Sequence, residues 1–281
     1  MQVREPSSEP DKSHKKSSNS KKRRLAKLLI FIALVVIAAI LVFNRDTNAP
    51  APDTSLQPAV EQDKNSTKLR VFTGQEFSDL YNSYVYPNTQ AISEESPITG
   101  DEAADKRIKD LTVSRGYKLR SAPVTNNFVE ISQDMLLQQR AAVDWLKMQE
   151  AATKEGHDIQ VNAAYRSAED QRAIFLARIK SIPLPSIAAG KSDSDINHVL
   201  KTTAVPGYSR HHTGYTVDIV CYTDASKKFE DSKCNKWLSD NNYQNAKTYG
   251  WIPSYPDGAG LQGPDPEPWE YVWVGSDVLY E

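Results

Sequence analysis

Beyond its first 24 residues the sequence lacks any excess of basic residues. The whole chain has 34 Lys and Arg residues against 36 Asp and Glu residues. Eight of the basic residues and three of the acidic ones fall within residues 1–24, so the remainder of the chain is acidic. A nucleic-acid-binding domain needs a basic face. The charge distribution therefore argues against a nucleic-acid partner for the main domain.

Cysteine is also scarce, since only Cys221 and Cys234 occur in the chain. In an oxidising compartment, a pair that closes so short a loop would form a disulfide that stabilises the fold by about 3 kcal/mol in the chain-entropy model. Two free buried thiols are the alternative, and a single Cys as a metal ligand is disfavoured. We expect the Cys221–Cys234 disulfide if the domain lies outside the cytoplasm.

Polar residues are absent between Leu28 and Phe43. As a helix at ~1.5 Å per residue, residues 25–43 would cover ~28 Å, close to the ~30 Å hydrocarbon core of a bilayer. Basic residues cluster before this stretch and only Arg45 lies just beyond it, which places the N-terminus in the cytoplasm. A cleaved signal peptide and a buried core helix are the alternatives, but no clear cleavage site follows Phe43. The sequence thus predicts a single-pass cell-membrane protein whose main domain is extracellular.

Changes in composition along the chain predict five segments. They are a disordered basic cytoplasmic tail over 1–24, a transmembrane anchor over 25–43, a proline-containing stem over 44–70, a small helical lead-in over 71–114 and a main domain over 115–281.

Hydrophobic periodicity in the main domain predicts helices mixed with short strands. The predicted helices are 131–156, 167–180 (opening on the loose capping box Ser167 to Asp170) and 236–250, and the predicted strands lie in DIQVNA, GYTVDIVCY and WEYVWV. This order predicts an α+β domain with a small, mostly antiparallel sheet packed with helices.

A candidate for chemistry lies at the start of the strand GYTVDIVCY, residues 214–222. His211 precedes Asp218 by seven residues, and Gly214 permits a tight bend that could bring the imidazole back over the strand. Histidine nitrogen and aspartate oxygen are suitable zinc ligands, and a catalytic zinc takes three protein ligands with one position left open. An exposed acid on a solvated face is the alternative for Asp218, and His212 is the alternative ligand to His211.

The segment SRHHTGYTVD, Ser209 to Asp218, resembles the S-x-H-x-x-G-x-x-x-D signature of the VanY-type zinc D-alanyl-D-alanine carboxypeptidases. That family is related to VanX dipeptidases and to some cell-wall endopeptidases. Further pieces occur in family order, and they are RGYKLRSAPV, AAYRSAEDQ, PGYSRHH and YGWIPSYP. The resemblance covers about residues 115–274. It implies a peptidase-like catalytic domain that takes one Zn²⁺ and acts on the D-Ala-D-Ala end of peptidoglycan stem peptides.

The same resemblance implies roles for single residues. It makes His211 and Asp218 metal ligands, and it makes Arg166 the arginine that steadies the substrate carbonyl and the oxyanion formed from it. A fixed guanidinium suits that role because it offers planar, permanent donors. Two further positions, Gln171 and Ser209, match family positions that support the site. Tyr165 is equally consistent with function and with packing.

The family ends its site with E-x-x-H, in which Glu is the general base and His is the third ligand, whereas this chain has EPWE. Glu267 matches the base, and Glu270 stands where the ligand His should be. Three interpretations compete: Glu270 is the third ligand, or a loss of two residues leaves no third ligand, or His212 or His198 supplies the nitrogen. The first is favoured because Glu270 lies on a valine face of its strand, where an unpaired buried carboxylate is costly.

Glu267 and Glu270 are three residues apart, which places them on opposite faces of a regular strand. Both can face one ion only if the chain turns at Pro268. The sequence therefore predicts a membrane-anchored metallopeptidase that hydrolyses the terminal D-Ala-D-Ala bond. A catalytically degenerate protein that binds cell-wall peptides is one alternative, and a peptidoglycan endopeptidase on the same fold is the other.

Overall fold

A computed structural model describes residues 68–92 and 97–281 of the chain. The predicted tail, the predicted anchor and nearly all of the predicted stem lie outside the described residues. In the part of the chain that is described, no helix has both the length and the hydrophobicity needed to cross a bilayer. All described residues fall within one compact unit, residues 63–281.

Helices and short strands are mixed along the chain, as the sequence predicts. The helices are α1 (Gly74–Ser83), α2 (Glu102–Ser114), α3 (Gln139–Lys154), α4 (Ala168–Ile179), α5 (Leu184–Ala188), α6 (Asp193–Leu200) and α7 (Lys233–Thr248). The strands are β1 (Thr89–Ala91), β2 (Ser121–Pro123), β3 (Phe128–Ser132), β4 (Met135–Gln138), β5 (Ile159–Ala163), β6 (Thr216–Cys221), β7 (Trp251–Pro253) and β8 (Glu270–Trp273). Helix α7 is interrupted at residues 240–243, whose backbone leaves the helical region. The predicted α+β class with small antiparallel sheets is confirmed.

The central sheet has the strand order β5-β6-β8-β7, and every neighbouring pair is antiparallel. In the pairing of β6 with β8, Thr216 lies opposite Val272 and Asp218 lies opposite Glu270. Side chains directly opposite each other on neighbouring strands share a face, with Cβ atoms about 4.5–5.5 Å apart. The register therefore brings together two carboxylates that are far apart in the sequence.

One predicted helix is wrong in its first part. Residues 131–138 do not extend α3, because β3 and β4 form an antiparallel hairpin that turns at Asp134, whose φ is 59°. Leu137 is fully buried on this hairpin, so tertiary packing overrides the helical preference of the segment, which is a weak prior. The backbone N–H of Gln138 donates to the carbonyl of Gly214 at 2.9 Å. The hairpin thus supports the loop that precedes β6.

Two hydrophobic clusters hold these elements together. The larger lies against the central sheet and includes Trp145, Tyr271 and, from α1, Phe77 and Tyr81. The smaller joins α2, α4, α5 and α6. Segments from residues 71–114 contribute to both clusters, so the sheet packs against residues that precede the main domain in the sequence.

The predicted Cys221–Cys234 disulfide is present. It joins the end of β6 to the first turn of α7, with the two Cα atoms 5.7 Å apart. Both cysteines are buried. The bond therefore anchors the C-terminal end of the strand that carries Asp218.

Candidate active site

His211 lies on a single 3₁₀ turn, Arg210–Thr213, directly before β6. Gly214 ends this turn with φ at 75°, a left-handed conformation that glycine adopts without strain. The predicted tight bend is confirmed. The His211 Nδ1 atom lies 2.7 Å from the carbonyl oxygen of Ala164. Because a carbonyl only accepts, Nδ1 carries a proton and Nε2 faces the opposite way.

The Nε2 atom of His211 points at two carboxylates. It lies 3.5 Å from Asp218 Oδ1 and 3.4 Å from Glu270 Oε2. One potential ligand atom from each of the three residues lies within 4.8 Å of the other two. The side chains of His211 and Glu270 are 5% and 3% exposed. The structure thus brings together three residues that the sequence predicts as metal ligands.

The trio of His211, Asp218 and Glu270 has the charge and the free atoms that a cation requires. Asp218 Oδ1, which faces His211, is buried and has no hydrogen-bond partner, and buried polar atoms are rarely left unpaired. Burial alone would lower the pKa of His211, but the adjacent Asp218 and Glu270 raise it to about 10. In the absence of another cation, a proton on His211 balances the carboxylates. One nitrogen and two carboxylate oxygens are a suitable donor set for zinc or for a harder divalent metal.

Glu267 reaches the same place because the chain turns between it and Glu270. The backbone N–H of Glu270 donates to the Glu267 carbonyl at 3.0 Å, which closes a turn with Pro268 at its second position. The turn predicted at Pro268 is confirmed. Burial, and then the charges of Glu270 and Asp218, raise the pKa of Glu267 to about 8. Glu267 and the trio line one cavity. A carboxylate with a raised pKa in that position has the properties of a general base.

Arg166 lines the cavity as well and is held by Gln171. Its Nη1 donates to Gln171 Oε1 at 2.9 Å, and Gln171 Nε2 donates to the Ala204 carbonyl at 2.7 Å. Gln171 is 1% exposed, so its amide is fixed in one orientation. The backbone N–H of Arg166 donates to the His211 carbonyl at 3.2 Å. The guanidinium is therefore held beside the trio, with N–H groups left over for a ligand.

The sequence profile of the VanY family, described as D-alanyl-D-alanine carboxypeptidase, matches residues 134–276. The chain belongs to the VanY family. The matched region contains the trio together with Arg166 and Glu267. The predicted family is thereby confirmed, and the assignment covers half of the chain.

Two curated relatives are similar to this chain in sequence. YodJ of Bacillus subtilis (strain 168), named as a carboxypeptidase, is 31% identical over 156 residues, which cover 52% of this chain and 51% of the relative. A D-alanyl-D-alanine carboxypeptidase of Enterococcus faecalis (strain ATCC 700802 / V583) is 28% identical over 130 residues, which cover 46% of this chain and 45% of the relative. The chain thus spans about half the length of the curated relatives it matches.

Solved structures show a distant likeness. The LD-carboxypeptidase LdcB is 24% identical, with a TM-score of 0.45, and the match covers 55% of this chain and 71% of that chain. A VanY D,D-pentapeptidase variant in complex with Zn(II) is 24% identical, with a TM-score of 0.41, and the match covers 57% of this chain and 82% of that chain. The family assignment rests on the profile match and not on these superpositions.

The other histidines considered from the sequence do not complete the trio. His212 Nε2 accepts from the backbone N–H of Gly207 at 3.0 Å, and its Nδ1 lies 2.7 Å from the Arg166 carbonyl. Both ring nitrogens are thus occupied, and burial lowers the pKa of His212 to about 4. His198 lies on α6 and is not part of the trio.

The family resemblance also implies Ser209 and Tyr165, and the structure places these two residues in different environments. Ser209 is buried and lines the cavity, in agreement with a supporting role. Tyr165 packs its ring against Phe128, with the ring centroids 4.3 Å apart. The observed contact of Tyr165 is therefore one of packing.

Sequence reasoning missed Arg210, the variable position between Ser209 and His211 in the VanY signature. Its side chain is 4% exposed, and its Nε lies 3.9 Å from Glu270 Oε1. The guanidinium lies over the rings of Tyr255 and Tyr81, at 3.7 and 4.6 Å from their centroids. No local pattern predicts these contacts, because the partners of Arg210 come from distant segments.

The cavity of the VanY-family domain has a volume of about 280 Å³. Carboxylates of the trio and Glu267 occupy part of its wall. Four arginines also line it, and they are Arg120, Arg166, Arg178 and Arg210. A cavity with this lining can accept a ligand that carries a negatively charged group beside a polar bond.

Proposed function

We propose that this VanY-family domain is a metal-dependent carboxypeptidase that hydrolyses the terminal D-Ala-D-Ala bond of peptidoglycan stem peptides. The observation that carries the proposal is the meeting of His211, Asp218 and Glu270, whose potential ligand atoms lie within 4.8 Å of one another, with Asp218 Oδ1 buried and without a hydrogen-bond partner. Glu267 and Arg166 line the same cavity. A candidate metal site, a candidate base and a candidate oxyanion donor thus share one space.

The trio would hold the ion, with Zn²⁺ as the favoured metal at one per domain. When bound, such an ion polarises a carbonyl and lowers the pKa of water towards ~7. The carbonyl of Ala164 keeps Nδ1 of His211 protonated and so directs Nε2 into the site. The pairing of β6 with β8 holds the two carboxylates side by side.

Glu267 would move the proton in this reaction. It accepts a proton from the attacking water and returns it to the leaving amine. Arg166 donates to the scissile carbonyl oxygen as negative charge develops there, and Gln171 keeps its guanidinium in place. Arg120 and Arg178, which also line the cavity, would complement the carboxylate at the end of the peptide.

The proposal includes a location. Residues 25–43 would anchor the protein in the cell membrane with the N-terminus in the cytoplasm, so that residues 44–281 are extracellular, where the cell wall lies. The basic residues before the apolar stretch support this orientation. The Cys221–Cys234 disulfide supports an oxidising compartment. The intact mass of the protein extracted from membranes distinguishes an anchor from a cleaved signal peptide.

The full chain, purified in mild detergent, provides the test of the activity. Metal content is measured by mass spectrometry, and release of D-Ala is measured from a peptide that ends in D-Ala-D-Ala. We expect Glu270→Ala to lose metal and activity. Glu267→Gln should keep the metal and lose turnover by roughly 10²–10⁴-fold. The matched control is Glu155→Gln, which alters an exposed carboxylate at the end of α3 and should change neither.

The outcome also separates the alternatives. A protein that stays metal-free and inactive after incubation with zinc would refute the enzyme proposal and leave a peptide-binding protein. Cleavage of internal crosslinks, without release of terminal D-Ala, would instead identify an endopeptidase. If Glu270→Ala leaves metal and activity intact, Glu270 is not a ligand.

A further inference from the structure

The two oxygens of the Glu270 carboxylate have different neighbours. Oε2 lies 3.4 Å from Nε2 of His211, inside the trio. Oε1 lies 3.9 Å from Nε of Arg210, on the far side, and has no hydrogen-bond partner. The Glu270 and Arg210 side chains are only 3% and 4% exposed. A cationic and an anionic group therefore face each other with little water to screen them.

Arg210 is held independently of Glu270. Its Nη1 donates to the Ser254 carbonyl, and its Nη2 donates to the Gln262 carbonyl at 3.4 Å. The rings of Tyr255 and Tyr81 lie against the guanidinium. These contacts come from three separate segments, so the position of the charge does not depend on the carboxylate.

The positive charge of Arg210 beside Glu270 has a specific consequence in this chain. The VanY-type pattern places a neutral His where Glu270 stands, and Glu270 adds a negative charge to a site that already contains Asp218 and, nearby, Glu267. Burying a carboxylate without a counter-charge is costly. Arg120, Arg166 and Arg178 also line the cavity, but among the described residues none of them forms an ion pair with Glu270, and His211 is already shared between both carboxylates of the trio.

We propose that Arg210 is a positioning residue for Glu270: it supplies the counter-charge on Oε1, so that the ionised carboxylate is tolerated in the buried site and presents Oε2 to His211. The charge pair exists whether or not a metal binds. Its bearing on metal affinity rests on the proposed function. Arg210, within the VanY signature, and Glu270, at the end of the site, therefore act as a pair.

The pair predicts what happens when the family histidine is restored. A divalent ion with Asp218, Glu270 and Arg210 leaves one net positive charge. Glu270→His raises this to two, because Arg210 is then buried without its carboxylate. Adding Arg210→Met returns the site to one. We therefore expect Glu270→His alone to bind zinc more weakly than Glu270→His combined with Arg210→Met.

The first experiment measures Tm of the full chain in the presence of a chelator, so that neither metal nor activity is needed. Arg210→Met is compared in the Glu270 protein and in the Glu270→Gln protein. We expect Arg210→Met to lower Tm by roughly 5 °C or more beyond its effect in the Glu270→Gln background. The lost backbone hydrogen bonds and ring contacts are the same in both backgrounds, so a purely structural role predicts equal shifts and would overturn the proposal.

The matched control is Arg120→Met. Arg120 lies over the same Tyr81 ring, at 4.7 Å from the centroid, and no ion pair joins it to Glu270 among the described residues. Its effect on Tm should be the same in both backgrounds. A coupling as large as that of Arg210 would show that the measured difference does not come from the Arg210–Glu270 pair.

A second comparison covers the case in which Arg210→Met prevents folding in both backgrounds. Arg210→Lys keeps the charge and Arg210→Gln removes it. The Lys variant should be the more stable of the two in the Glu270 protein and should have no advantage in the Glu270→Gln protein. Equal stability of the two variants in the Glu270 protein, or tighter zinc binding by Glu270→His alone than by the double variant, contradicts the proposal.

Discussion

Reduction of the Cys221–Cys234 disulfide is expected to lower the free energy of unfolding of the domain by about 3 kcal/mol. The bond joins residues with a sequence separation of 13. Closing a loop of this length lowers the conformational entropy of the unfolded chain, which corresponds to about 3 kcal/mol at 25 °C. For a domain of this size, 1 kcal/mol corresponds to about 2–4 °C in Tm. The expected loss in Tm is therefore about 6–12 °C.

The assay is thermal unfolding of the full chain, followed by tryptophan fluorescence, before and after reduction with a phosphine that mass spectrometry shows to be complete. A protein with Ser at both cysteine positions is the control, since the reductant should leave its Tm unchanged. An unchanged Tm after complete reduction of the native protein would show that the disulfide does not stabilise the fold. Asp218 lies on a strand that both β5 and β8 also hold, so we expect metal binding at 25 °C to survive reduction.

Three further substitutions test the site and its support. Gln171→Ala should lower kcat/KM by about 10–100-fold with the metal content unchanged, because Arg166 loses the side chain that orients it; peptidase kinetics and metal analysis together check this. Gly214→Ala should destabilise the fold by about 2 kcal/mol or more in urea unfolding, since the residue has φ at 75° and its Cβ would lie 2.7 Å from Cε1 of Phe128. Burial alone would raise the pKa of Asp105, but hydrogen bonds from the preceding loop lower it, so Asp105→Ala should cost about 1–3 kcal/mol at pH 7. Because the folded pKa lies below the unfolded value of about 3.9, this stabilisation is present above pH 4 and is lost as the pH falls further; an equal difference between the two proteins at pH 7 and pH 2.5 would contradict the argument.

The helix error at residues 131–138 shows where local patterns mislead. The segment contains good helix formers, yet Leu137 is buried on a hairpin whose turn is made by Asp134. The helix after Ser167 was predicted correctly because its start is decided locally, by a side chain that accepts from the Asp170 backbone N–H at 3.0 Å. Short-range hydrogen bonds of this kind can be inferred from neighbouring residues, and long-range packing cannot.

The ligand set was predicted in the same uneven way. Alternation along β6 and β8 and the bend at Gly214 are local properties, and only together with the resemblance to the VanY signature do they nominate Asp218, Glu270 and His211. Which of several histidines could join the two carboxylates was left open. The folded structure decided it, because the nitrogens of His212 are occupied by the nearby Gly207 N–H and by the carbonyl of Arg166, which is distant in the sequence.

The sequence alone is enough to predict the family, the alternation of the strands that contain Asp218 and Glu270, the bends at Gly214 and Pro268 and the types of chemical group available to the site. These follow from side-chain identity and from backbone preferences that act over a few residues. The tertiary structure alone decided the register that sets Asp218 opposite Glu270 and the burial of Arg210 beside that pair. The physical reason is that strand register and burial depend on the packing of segments that are remote in the chain, and a buried charge can be recognised as compensated only when its partner is in place.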